Sequence, residues 1–254
     1  MLHTTPIRGD FPSLKLGRMV RYGSTIERDL LYFLEYRRTV TWYQEQPFTI
    51  EQIMLDGKLH RYTPDYQIHD GIERLLVECK PEARLESAQA QQQRQIGQKW
   101  AENNGYRFVA YTEAELRTGA LLDNLKLLWR YARLRQLPEV QRILAHVSEH
   151  GTSTVESLCQ RFGLVPQMLV PQICCLLFHH QLEMDPVVLK VAAIGIEPLQ
   201  LFSVINFEMT PPPKIPNGAD ANAGQRFGRL PWGLHGRLPS MTEIKKRCQK
   251  DRID

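Results

Sequence analysis

The segments LHRYTPDYQI (59–68) and RLLVECK (74–80) decide the fold. Both are rich in branched, aromatic and apolar residues. Asp70-Gly71 between them is a tight-turn signal, so they read as the two strands of a β-hairpin. Alternation along the second strand sends Glu78 and Lys80 to one face and Cys79 to the other. Pro64 keeps the backbone extended and removes one ladder donor, which suits a strand end or edge. Asp65 and the Glu78-Cys79-Lys80 triplet are thereby expected close together.

The flanking sequence supplies the rest of an α/β domain. Residues 1–20 read as irregular and weakly basic, with Arg8, Lys15 and Arg18. A helix is expected from GSTIERDLLYFLEYRR (23–38): Ser24 is an N-cap, Glu27 stands at the capping-box spacing, and Ile26, Leu30, Phe33 and Leu34 recur at helical period. VTWYQEQ (40–46) and residues 52–55 are strand-like. After Pro81 a long polar helix is expected over about 84–103 with Gly105 as its stop, then a strand at 106–112 and a helix from Glu113 to about Gln136. That order describes a mixed sheet flanked by helices, and the first domain is placed at 1–136.

Pro138 opens a different pattern. Helices are expected at 140–149, 154–162 and 166–180, with Gly163 giving helix-turn-helix spacing and Val187–Val191 as a wing strand. Residues 137–208 therefore read as a small winged-helix-like domain. It is poor in basic residues, Arg161 being the main one in the helix-turn-helix, and so suits a protein partner better than DNA. The remaining stretch, 209–254, is a basic tail. Residues 211–240 hold six Pro and five Gly, too many for packed structure. Residues 211–254 carry nine Lys/Arg against four acids, within a chain of net charge +4, so the body is near neutral. A basic tail suits nucleic acid or an acidic protein surface. Phe227, Leu230, Trp232 and Leu234, interleaved with Arg226, Arg229 and Arg237, resemble interface anchors.

The 254 residues are 43% hydrophobic and 24% charged, as in ordinary soluble proteins. No run of eighteen apolar residues and no apolar leader is present, so a cytoplasmic protein with no membrane span is expected. Five scattered cysteines read as reduced thiols. Cys175 and His179 stand at i, i+4, a spacing better explained by a partly buried helix than by a metal site.

The chemistry lies in the acids. Two carboxylates converging on one point repel unless a hard cation sits between them, and Mg²⁺ takes oxygen ligands of this kind. Each residue has a plainer account: Glu27 as a cap, Asp65 as a turn residue, Glu78 and Lys80 as an exposed ion pair. Together, a Pro-Asp on one strand and Glu-x-Lys after a glycine turn form the pattern of PD-(D/E)xK nucleases. The expected catalytic set is Glu27, Asp65, Glu78 and Lys80. Glu27, Asp65 and Glu78 would hold Mg²⁺, for which Mn²⁺ substitutes. His60 and His69 flank Asp65, where contact with phosphate and simple solvation are equally good readings.

In order and spacing, the chain resembles the TnsA family, the endonuclease subunit of heteromeric cut-and-paste transposases, some of them CRISPR-associated. The matching features are Ser24–Glu27 entering a leucine-rich helix, Gln44-Glu45-Gln46, Tyr62-Thr63-Pro64-Asp65-Tyr66, Val77-Glu78-Cys79-Lys80-Pro81, Trp100, Tyr111-Thr112-Glu113 and Leu125–Trp129. They cover roughly residues 20–135. The resemblance implies a restriction-endonuclease-like domain followed by a winged-helix domain. It implies catalysis at Glu27, Asp65, Glu78 and Lys80, and cleavage of the strand at the 5′ ends of the transposon. It also implies a DDE-type transposase (TnsB), an AAA+ ATPase (TnsC), in some systems CRISPR-linked targeting proteins, and transposon-end DNA as partners. The rival readings are a free-standing PD-(D/E)xK restriction or repair nuclease and an inert assembly adapter.

Overall fold

In the computed structural model, residues 7–54, 56–134, 138–151, 153–184 and 209–210 are described. In chain order the elements of the first unit are β1 (Gly9–Pro12), β2 (Met19–Tyr22), α1 (Thr25–Tyr36), β3 (Val40–Glu45), β4 (Ile50–Ile53), β5 (Leu59–Tyr62), β6 (Tyr66–Asp70), β7 (Glu73–Cys79), α2 (Ala88–Asn104), β8 (Arg107–Tyr111) and α3 (Glu113–Leu116).

The hairpin read from the sequence is β6–β7, antiparallel, with Asp70 opposite Glu73 across Gly71-Ile72. Gly71 takes the positive φ (60°) that the first position of a two-residue turn of this hand requires. β7 is buried along its length at Leu75, Leu76 and Val77, because it has neighbours on both sides. The sheet order is β3-β6-β7-β8, with β7 parallel to β8 and the other pairs antiparallel. α2 provides the crossover between the parallel strands. Its N-cap is Ser87, whose hydroxyl accepts from the Ala90 amide at 3.2 Å, and it stops at left-handed Gly105.

Four expectations need correction. LHRYTPDYQI is not one strand: it breaks at Pro64 into β5, which pairs with β4 in a separate two-stranded sheet, and β6. Proline has no N–H to donate, so the ladder cannot run through it. Residues 9–22 are not irregular, because β1 and β2 form an antiparallel ribbon with Phe11 and Val20 buried. The polar helix begins at Ala88, after a short 3₁₀ turn at Glu82–Arg84. The helix expected from Glu113 onward is two helices, α3 and α4 (Leu121–Tyr131), separated by Gly119 at φ 67°.

Two buried features set the position of the helices. Glu35 of α1 accepts from the Ser13 hydroxyl (2.6 Å), the Leu14 amide (2.9 Å) and the Tyr43 hydroxyl (2.7 Å), tying the ribbon and β3 to α1. On the other helix, α2 packs Ile96 and Ala101 into a cluster with Ile50, Tyr62 and Leu76. Gly97 permits this approach, since a Cβ there would lie 2.5 Å from the Phe108 ring.

The compact grouping of the described residues changes at Thr118/Gly119, earlier than position 136, because α4 packs against α7 (Pro166–Phe178). The second unit also contains α5 (Glu139–His150) and α6 (Val155–Phe162). Gly163, at φ 63°, joins α6 to α7 across a 120° bend, the geometry of a helix-turn-helix. Buried residues surround α7, among them Leu169, Val170, Ile173, Cys174 and Leu176. Glu183–Met184 pairs antiparallel with Met209–Thr210. Val187–Val191 and the tail lie outside the described residues. Among the described residues no single helix is long and apolar enough to cross a membrane.

Gly97→Ala tests how closely α2 is seated. It gains about 1 kcal/mol of helix propensity, yet overpacking against Phe108 should outweigh this and leave a net loss within about 1–3 kcal/mol. Chemical unfolding of the full chain measures it, and Phe108→Ala in the same background should reduce the loss.

Candidate active site

Asp65 sits at the break between β5 and β6, where Pro64 has ended one ladder and the next has not begun. Its amide donates to the Val77 carbonyl (3.0 Å) and its carbonyl accepts from the Gln46 amide (2.9 Å). The backbone is therefore held by strands on both sides. The carboxylate turns toward the end of β7, where Oδ2 accepts from the Cys79 amide at 2.6 Å.

Glu78, 9% exposed, is the penultimate residue of β7. Its Oε2 accepts from the Tyr62 hydroxyl at 2.8 Å, and its Oε1 lies 2.9 Å from Lys80 Nζ. The Lys80 amide continues the parallel pairing by donating to the Tyr111 carbonyl (2.9 Å). Its ammonium also donates to Gln93 Oε1 on α2. Gln93 is one turn before Gly97, so the face that lets α2 approach the sheet also delivers this amide. Glu78 and Lys80 are thus a largely buried pair, not the exposed ion pair of the plainer account.

Glu27 enters from the first turn of α1. Its amide donates to Ser24 Oγ (3.1 Å), the first half of a capping box. The return bond differs from the expected one: Glu27 Oε2 accepts from the Gly23 amide at 2.8 Å, one residue beyond the cap. The cap therefore engages one carboxylate oxygen.

The electrostatics bring the set together. Burial pushes the Asp65 carboxyl well above the usual range, and the neighbouring charges of Glu78 and then Glu27 push it further; the Cys79 amide and Lys80 pull the other way. Burial, followed by Asp65, Glu27 and Glu78, raises the Cys79 thiol. Burial and the Glu78 charge likewise raise the Tyr62 phenol.

This donor set fits a hard dication in its chemistry: carboxylate oxygens from three parts of the chain, close enough to disfavour ionisation of Asp65, with a lysine alongside. Among the described residues, however, no three His, Cys, Asp or Glu side chains stand together as a ready-made ligand cluster. Glu78 is turned to Tyr62 and Lys80, and Asp65 to the Cys79 amide.

Other expected residues lie elsewhere. His60 bonds Asp56 at 2.9 Å, and the His69 ring lies against Trp42, tilted, with centroids 4.8 Å apart. His179 Nε2 is 2.8 Å from the Ala132 carbonyl and the Cys175 thiol faces the Leu134 carbonyl, as a partly buried helix requires. From the sequence Tyr62 stands out only as part of the Tyr62–Tyr66 stretch, with no role of its own, and Gln93 not at all. Gln93 stands in the run Gln91-Gln92-Gln93, where only its i, i+4 relation to Gly97 distinguishes it.

Residues 37–113 match the family model of the TnsA-like endonuclease N-terminal domain. Over that stretch the chain is similar to TnsA-like endonuclease domains. The matched range runs from the end of α1 to the start of α3 and includes Asp65, Glu78, Lys80 and Gln93, while Glu27 precedes it. No curated protein matches the chain.

The raised Asp65 carboxyl gives a signed pH dependence. The folded state holds this proton more tightly than the unfolded state, so stability falls as pH rises through the folded pKa. Asp65→Asn removes that cost while keeping an acceptor for the Cys79 amide. In chelator, the variant should melt a few degrees higher than wild type at pH 8, about 2–4 °C per kcal/mol. The difference should shrink toward pH 4. Equal melting at pH 8 would mean that the carboxylates do not crowd one another.

Proposed function

We propose that this chain is the Mg²⁺-dependent DNA endonuclease subunit of a cut-and-paste transposase, cutting the strand at the 5′ ends of the transposon. The observation that carries the reading is the crowding of Asp65 by Glu78 and Glu27, with Lys80 at 2.9 Å from Glu78, inside a TnsA-like endonuclease domain. A buried carboxyl that feels two further acids is costly to keep and is explained when a cation and a phosphodiester share the site.

Asp65, Glu78 and Glu27 would hold the ion, with Mn²⁺ able to replace Mg²⁺. When bound, Mg²⁺ supplies Lewis-acid polarisation of the phosphoryl oxygen and a water acidic enough to attack near neutral pH. The chain's own residues do the rest. Lys80 orients the attacking water and offsets negative charge on the pentacovalent phosphorane. Tyr62 holds Glu78, the Cys79 amide holds Asp65, and Gln93 holds the lysine.

The family supports a DDE-type transposase (TnsB), an AAA+ ATPase (TnsC) and transposon-end DNA as partners. The winged-helix-like reading of the second unit rests on α5, α6 and α7 with the short strand pair that follows. We assign that unit and the basic tail to assembly with the partner proteins, in the cytoplasm.

The test is strand cleavage in the assembled reaction with Mg²⁺. Asp65→Ala should leave no detectable cutting, and Lys80→Ala should lose on the order of 10²–10³-fold or more, with both variants folded. Wild-type cutting by either would overturn the assignment. The isolated chain should cut plain duplex DNA poorly; rapid sequence-specific cutting by it alone would favour a free-standing nuclease.

A further inference from the structure

A groove of about 1040 Å³ runs along the first unit between the β1–β2 ribbon and β3. Two contacts tie it to the candidate active site. Glu27 forms part of its wall, and so does Gln46, whose amide donates to the Asp65 carbonyl at 2.9 Å. Gln46 has φ 41°, a left-handed value that costs a non-glycine residue energy and recurs at functional sites. The groove therefore reaches both the α1 carboxylate and the strand junction that carries Asp65.

Its charges divide into two groups. Arg18 is committed to Glu45 by two bonds of 2.7 Å, and Glu45 also accepts from the Arg21 amide at 3.4 Å. These contacts fasten the ribbon to β3 and build the wall. Arg21 and Arg8 remain at the rim. The Arg21 side chain is 89% exposed and no nearer than 4.0 Å to Asp10, and Arg8 is exposed. Trp42 adds an aromatic surface and Gln44 a polar one. Exposed arginines at the rim, with the Glu27 carboxylate at the inner end, suit a polyanion whose phosphates lie on the arginines while its reacting phosphate reaches the carboxylates. A small isolated anion would meet Glu27 and Asp10 as readily as the arginines.

We propose that one DNA strand lies in this groove, with its phosphates on Arg8 and Arg21 on the way to the carboxylate cluster. The proposal rests on the nuclease reading above and adds the path of the substrate.

The experiment uses the full chain, because the basic tail contributes to affinity as well. Binding of a 30-base-pair duplex is followed by fluorescence anisotropy in chelator over a range of salt concentrations, for wild type, Asp65→Asn and the double variant Arg8→Ala/Arg21→Ala. Each lost phosphate contact lowers the slope of log affinity against log salt by about 0.9. The double variant should therefore lose a slope of nearly two and bind several-fold more weakly at moderate salt, with unchanged melting temperature. Asp65→Asn should bind with the wild-type slope. A wild-type slope and affinity in the double variant would overturn the proposal and leave DNA attachment to the tail. If the slope falls as expected but Asp65→Ala cuts normally in the assembled reaction, the nuclease site is misassigned while the groove still binds DNA.

Discussion

The burial of Asp65 beside two further acids is the constraint on which this structure depends. Asp65 lies close enough to Glu78 and Glu27 for both to oppose its ionisation, in surroundings that already disfavour charge. Such an arrangement must be imposed by covalent geometry and packing, since the acids left to themselves would separate. Three devices impose it. Pro64 ends β5 and fixes the junction at which Asp65 turns inward. The parallel β7–β8 pairing carries Glu78 and Lys80 to a common edge. The cap of α1 points Glu27 back past Ser24 to the Gly23 amide. Each is a backbone feature that costs little to keep and is difficult to rearrange.

Side chains then hold what the backbone has brought together. Tyr62 and Lys80 each take one oxygen of Glu78, and Gln93 takes the ammonium from the other side. A buried ion pair of this kind is weak evidence for stability, since desolvation offsets much of the attraction. Its value here is geometric, because a lysine gripped by two acceptors has one position available. Gly97 lets α2 come close enough to supply the second acceptor. Packing that looks purely structural thus sets the distance between a helix amide and the lysine of the site.

Much of this was legible in the sequence, and what was hidden has physical causes. The β6–β7 hairpin, the Ser24 cap, the crossover helix and the acids all followed from local rules: a glycine turn, capping spacing, a composition change after Pro81. The break at Pro64 was readable as a strand edge, but not as a change of sheet, since pairing partners are not encoded locally. The β1–β2 ribbon escaped because Gly9–Pro12 lacks the alternation of a half-buried strand; Glu35, twenty-two residues beyond Ser13, helps to hold it. The α3–α4 break at Gly119 was masked by continuous helical propensity on both sides. Tyr62 and Gln93 act through long-range contacts, and nothing in a glutamine-rich run marks one member as the partner of a lysine.

The central claim is that Asp65, Glu78 and Glu27 bind a cation, and calorimetry tests it without requiring the partner proteins. Mg²⁺ is titrated into the full chain at pH 7.5 in two buffers of different ionisation enthalpy, for wild type and for Glu78→Gln. Any proton displaced from the site on binding passes to the buffer. Saturable binding whose heat differs between the buffers, and which is lost in the variant, is the result this account predicts. Absence of saturable binding, or identical binding by Glu78→Gln, would contradict it.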